Sequence, residues 1–302
     1  MMKKLPVSRG LETHPYPVSD LTGLPASLQQ AAQQALGPTE QPLSTFAVPA
    51  QSFLKNWFSQ RHVPPQALLF TAQGVLHLQE ATSPDQPAQT TFWRAADLLY
   101  IQLRLLLLYG RLELAGQTDG VLTKVVVEFN TVGTWLLLPG LRHLLRLTWA
   151  QAETEAPAAG LARVALPEFQ KLPLKFKNGL QLYGLQPGEY LLGVIFQPGI
   201  WQHYRPFFHH QVSANTLLAL TDHELIIVEE DRTGEQSPYG WILTFCPLAS
   251  ISRIETVRAE TRPALQLRLA RDGVVVDRQV TLEPETALAW QNLWAHSHAA
   301  GS

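Results

Sequence analysis

A chain of 302 residues with 46% hydrophobic and 16% charged side chains can bury two ordinary domain cores, and its low charge excludes a disordered chain. The net charge is −2, with 11 basic and 9 acidic side chains in residues 1–150 and 12 and 16 in residues 151–302. That balance excludes a broad basic face, and with it nucleic-acid binding by phosphate neutralisation. A single cysteine, Cys246, excludes an intramolecular disulfide.

Residues 1–22 carry charge with no apolar core behind it, which argues against a secretory signal. With one thiol in the chain, a reducing cytoplasmic location is expected. From Leu24, "LPASLQQAAQQALGPTEQPLSTFAVPAQ" predicts a helix-like patch, a Pro-x-Glu turn and an apolar strand. "ALLFTAQGVLHLQE" (Ala67 to Glu80) predicts two strands about a tight turn. "FWRAADLLYIQL" is a strand, a kink and a second strand. The greasiest run, Leu98 to Gly110, is broken by Arg104 and falls short of the ~20 apolar residues that span a bilayer. "KVVVEFNTV" follows as a strand. Then comes a helix with Pro139 in its first turn and Leu141, Leu144, Leu145 and Trp149 on one face. "AETEAPAAGLARVA" has no apolar stripe and reads as a linker over 151–165.

The pattern then starts again. "LPLKFKNGLQLYGLQPGEYLLGVIFQPG" from Leu172 repeats the helix, turn and strand, with Glu40 and Glu189 in register (189 − 40 = 149). "LLALTDHELIIVEE" matches the first hairpin, and "FCPLASISRIE" matches "FWRAADLLYI". Asp272-Gly273 marks a hairpin. A last helix has Pro284 in its first turn and Ala287, Trp290, Leu293 and Trp294 on one face. The chain therefore reads as a duplication. An extended segment spans 1–22, the two domains span 23–150 and 166–297, and a tail spans 298–302.

The order "LQPGEYLLGVIF", "LLALTDHELIIVEED", "WILTFCPLASISRIETV", "LQLRLA", "VVVDRQVTL", "ETALAWQNLW" resembles the pleckstrin-homology-like superfold, especially GRAM and bacterial PH-type domains. The resemblance covers Leu172 to Ala295 and, more weakly, Leu24 to Trp149. It implies a mostly β (α+β) protein: two PH-like barrels or sandwiches, each closed by a C-terminal amphipathic helix. Such a fold names no single job.

In domains of this kind the first inter-strand loop often binds lipid headgroups. Here that loop is "FLKNWFSQRHVPP" in the first half and the neighbourhood of "WQHYRPFFHH" in the second. The candidate binding residues are Lys55, Trp57, Phe58, Arg61, Trp201, Tyr204, Arg205, Phe207 and Phe208. One or two cations per loop argue against phosphoinositide binding, which needs several. Three readings of the second loop stay open. Its rings cover a barrel mouth or pack between domains; they form a partner surface; or His203, His209 and His210, joined by Asp222 and Glu224, hold a metal. Adjacent His209 and His210 point to opposite faces of an extended chain, so at most one joins His203. Asp222, Glu224 and the acidic "VEEDR" (Val228 to Arg232) are expected to be solvated, and His296 and His298 to lie in a loose tail.

Cys246, in an apolar setting, is expected to be an inert buried thiol. No GxSxG, GxGxxG, Walker-type or HExxH motif is present. The expectation is a protein without catalysis or cofactor that holds a protein partner through loop aromatics or a sheet edge. Attachment to membrane lipid is the alternative, and a small metal-dependent hydrolase comes behind both.

Overall fold

The computed structural model describes residues 14–37, 40–56, 59–83, 86–150, 166–205, 208–231, 240–259 and 262–299. The expected linker at 151–165 lies outside them. The described chain is mostly β. It opens with β1 (Tyr16–Pro17), α1 (Ala26–Ala35), β2 (Ser44–Val48), the ribbon β3 (Gln51–Asn56) and β4 (Ser59–Val63), β5 (Gln66–Phe70), β6 (Gly74–Gln79) and β7 (Gln89–Arg94). A 3-10 turn (Ala95–Asp97) leads to β8 (Leu98–Leu106), β9 (Tyr109–Thr118), β10 (Val121–Asn130) and α2 (Thr134–Ala150). Then come α3 (Leu166–Gln170), α4 (Leu174–Gly179) with a π-helical continuation (Leu180–Gly184), β11 (Leu191–Gln197), and the ribbon β12 (Ile200–Arg205) and β13 (Phe208–Ser213). β14 (Thr216–Thr221), β15 (Glu224–Asp231), β16 (Gly240–Pro247) and a 3-10 turn (Leu248–Ser250) follow. The chain ends in β17 (Ile251–Ala259), β18 (Arg262–Arg271), β19 (Val274–Thr281) and α5 (Pro284–Ala299).

This order runs twice. The second set begins at β11, and from the 3-10 turns onward its strands sit at one constant offset (251 − 98 = 153). The local chemistry repeats too. Thr71 Oγ1 accepts from the backbone N–H of Gln73 and Gly74, and Thr221 Oγ1 accepts from those of His223 and Glu224. These threonines tie the β5–β6 and β14–β15 turns in the same way. Glu40 N–H donates to the Gly37 carbonyl as Glu189 N–H donates to that of Gln186.

The strands form open sheets in the orders β1-β2-β5-β6-β7, β10-β9-β8-β16-β15-β14-β11 and β17-β18-β19, with β3-β4 and β12-β13 as separate ribbons. No sheet among the described residues closes into a barrel. Closure needs a first strand to pair with a last, whereas β8 turns away at the 3-10 turn and pairs with β16.

Contacts divide the chain into two compact units, and neither is a continuous half. One holds residues 1–97, 107–112 and 125–148; the other holds 98–106, 113–124 and 149–302.

In the first unit, Leu28, Ala32 and Leu36 of α1 and its C-terminal end pack on Ala47, Ala67, Leu69, Leu76 and Leu78. On the opposite face, Gly140 of α2 lies so close to Phe70 that a Cβ would sit 2.1 Å from the ring. Covered on both faces, β5 is buried throughout, which is why "QALLF" lacks alternation. The expected face of α2 (Leu141, Leu144, Leu145, Trp149) is buried. Pro139, however, lies inside α2 rather than in its first turn, because the helix starts at Thr134. The ring removes the N–H that would bond to the Trp135 carbonyl.

The second unit has one core running from Leu99, Tyr100 and Ala115 through Leu218, Leu225, Leu265 and Leu267 to Ala287 and Trp290 of α5. Phe176 of α4 meets Phe196 of β11 edge-on at 5.0 Å. Asp272 and Gly273 turn β18 into β19 with φ of 44° and 84°, as the Asp-Gly pair predicts. α5 runs to Ala299, so the expected tail from 298 begins inside a helix. His296 Nδ1 lies 2.6 Å from the Asn292 carbonyl, one turn back, which corrects the loose-tail expectation for that residue.

Candidate functional site

Six of the nine expected binding residues lie on the two ribbons. Lys55 is on β3, Arg61 on β4, Trp201, Tyr204 and Arg205 on β12, and Phe208 on β13. Trp57, Phe58 and Phe207 lie outside the described residues, as do the side chains of Lys55, Tyr204, Arg205 and Phe208. The two whose surroundings are defined behave differently. Arg61 reaches Glu128 of β10, Nη2 to Oε2 at 3.1 Å, and Tyr109 donates to the same carboxylate at 2.8 Å. This cation thus pairs with an internal anion while 57% of its side chain stays open to solvent. Trp201 leaves 54% of its surface open to solvent. Val212, across the same ribbon and next to the strand partner of Trp201, is exposed as well.

Around the β14–β15 turn the structure places acids where the sequence predicts solvated ones. Glu224 is fully buried, at 0% exposure, which corrects that expectation. Its carboxyl faces Glu189, from the Pro-Gly-Glu turn, with Asp222 nearby. Asp222 is fixed by the Tyr190 N–H at 3.0 Å and lies 3.5 Å from His223 Nε2. The His223 ring stacks on Trp149, with centroids 4.5 Å apart. Burial first, and then the neighbouring carboxylates, push Glu224 well above the usual carboxylate range. Burial likewise raises Glu189 to about 7, and the charge of Asp222 adds to the rise. As anions the two glutamates would leave both oxygens of Glu224 and Oε1 of Glu189 buried without a donor. A proton on one carboxyl supplies that donor. The arrangement therefore stores a proton. Only the Thr-Asp-His-Glu turn and the repeated Pro-x-Glu turn carry it in the sequence, and neither announces that the turns meet.

The second acidic stretch is also internal. Asp231, 1% exposed, takes both ends of the Arg104 guanidinium, with Nη2 to Oδ1 at 2.9 Å. Arg104, which interrupts the greasiest run, thus answers a buried carboxylate on β15. Glu230 accepts from Lys175 at 3.2 Å and from Asn215 at 2.6 Å. Arg104, Glu230 and Asp231, with Glu229, Gln279 and Thr281, line a cleft of about 470 Å³. Cys246 is fully buried, and burial pushes its thiol up to about 12, so thiolate chemistry is closed to it at neutral pH.

No three metal-ligating side chains converge among the described residues, and the side chains of His203, His209 and His210 lie outside that description. No helix among the described residues is long and apolar enough to cross a membrane. Compared with known proteins, the chain matches no family model and no curated sequence.

Proposed function

We propose that this chain is a non-catalytic scaffolding protein made of two pleckstrin-homology-like repeats, holding a protein partner through its ribbon aromatics or a sheet edge. The doubled order of seven strands and a closing helix supports the repeat reading, each set interrupted after its first strand by a ribbon. The observation that carries the function is Trp201. An indole on a ribbon outside every larger sheet, more than half exposed, offers the large rigid surface that anchors interfaces. Truncating it to Trp201→Ala removes the anchor and leaves the cores untouched. In quantitative affinity purification from native cells, at least one protein captured by the parent chain is lost from the Trp201→Ala chain, while the melting temperature is unchanged. A capture profile indifferent to Trp201 rejects this reading.

The same indole suits the headgroup level of a bilayer, which favours peripheral lipid attachment as the second reading. Sedimentation with anionic vesicles separates the two. Vesicle binding abolished by Trp201→Ala replaces the partner reading; no vesicle binding removes the lipid one.

A further inference from the structure

The pairing of β8 with β16 has a counterpart whose two strands are each left at the end of a sheet. β8 is the fifth strand of its set and β16 the fourth of its own, not counting the ribbons. Their equivalents are β17, which is the fifth of the second set, and β7, the fourth of the first. Among the described residues β7 pairs only with β6, and β17 only with β18. The side of each strand that is used in the internal pair is the side left open here.

The register can be carried across. Trp241 faces Leu105, Ile242 Arg104, Leu243 Leu103, Thr244 Gln102 and Phe245 Ile101. Equivalent positions lie 153 apart, as Phe92 and Phe245 show (245 − 92 = 153), and so do Ile101 and Ile254. Translated, the rungs become Ala88–Arg258, Gln89–Val257, Thr90–Thr256, Thr91–Glu255 and Phe92–Ile254.

One rung keeps its residue types in the translation, and the other four change to pairs that an antiparallel ladder accepts. A phenylalanine faces an isoleucine in both sets. In the internal pair the Gln102 amide donates to Thr244 Oγ1 at 3.0 Å. The translated rung would set the Thr91 hydroxyl, a donor, against the Glu255 carboxylate, which pairs with Arg253 at 2.6 Å within its own strand and has acceptor capacity to spare. Leu243–Leu103 becomes Thr90–Thr256. Aromatic–β-branched and Thr–Thr rungs are among the favourable cross-strand pairs. No rung sets like charges against each other.

We propose that β7 of one copy pairs antiparallel with β17 of a second copy, in the register that puts Thr91 opposite Glu255. The occupant of both edges is thus this same chain, using again the strand pairing already present inside it. The inference stands apart from the Trp201 reading, since it uses neither ribbon.

The test uses the full chain, whose one native thiol is buried. Thr91→Cys and Glu255→Cys are made in separate proteins, each checked for the parent melting temperature. They are then mixed under mild oxidation. Residues directly opposite in an antiparallel pair have Cα atoms about 4.5–5.5 Å apart, within the range a disulfide spans. A disulfide-linked dimer is expected from the mixture, with little from either protein alone or from Thr91→Cys mixed with Arg253→Cys. Light scattering of the parent chain should give a mass above 33.7 kDa that rises with concentration. Four outcomes each overturn the proposal: a monomer at every concentration, no linked dimer from the mixture, equal yield from the shifted pair, or a link within one chain when both substitutions share it. A Trp201→Ala chain keeps its self-association, so loss of the ribbon partner and loss of assembly are read separately.

Discussion

The proton between Glu189 and Glu224 ties stability to pH in a definite direction. Burial raises both carboxyls, so the folded chain binds a proton that the unfolded chain has already released at neutral pH. Their contribution is complete below the ordinary glutamate value and is lost as pH rises through about 7, where Glu189 titrates in the fold. The melting temperature of the parent chain is expected to fall between pH 5 and 7, by the equivalent of about 2 kcal/mol. In Glu224→Gln, whose amide donates without titrating, that fall should shrink markedly; an unchanged slope would refute the shared proton. The ion pair of Arg104 and Asp231 makes a second case. Arg104→Met takes away the guanidinium that answers a buried carboxylate and should cost about 3–5 kcal/mol in denaturant unfolding. Removing both charges with Arg104→Met and Asp231→Leu should recover most of it. These buried acids were illegible in the chain, because Asp and Glu beside a turn are usually solvated. Cys246 was legible, since its neighbours on both sides are apolar.

At the scale of elements, most of the architecture could be read from spacing. Period-two alternation marks β9 and β18, short apolar runs mark β5 and β14, Asp272-Gly273 marks a turn, and the apolar stripes of α2 and α5 point into cores as their spacing requires. What spacing concealed is how closely α2 lies on its sheet. Gly140 looks like a weak point in a helix, where alanine ordinarily gains about 1 kcal/mol. Here the added methyl meets Phe70 at 2.1 Å. Gly140→Ala is therefore expected to destabilise the protein by roughly 1–3 kcal/mol, as overpacked cores do. Chemical denaturation of Gly140→Ala with and without Phe70→Leu checks this, since the smaller partner should restore part of the loss. The start of α2 was likewise misjudged from sequence. Proline suggests a first turn, yet Thr134 opens the helix five residues earlier.

For the whole molecule, the repeat was visible as register, but the sheet that draws strands from both sets was not. Pairing between strands so far apart leaves no local trace; it depends on edges that only tertiary structure brings together. A consequence follows for dissection. A fragment of residues 166–297 lacks Leu99, Tyr100 and Ala115, which belong to its core, and leaves β16 without β8. It should be insoluble or lack a cooperative melt, whereas adding residues 98–124 in trans or by fusion should improve it. Circular dichroism and solubility of the two preparations decide the point.

The β8–β16 pairing also sets a timetable for biosynthesis. Leu105 emerges from the ribosome 136 residues ahead of Trp241, the residue it faces (241 − 105 = 136). At ~5–20 residues per second, translation leaves that strand waiting for roughly 7–27 s. Every nascent copy thus passes through an interval in which β8, paired with β9 on one side, has no mate along its other edge. On a polysome, where neighbouring chains are crowded and of different ages, the first mate to arrive need not be its own.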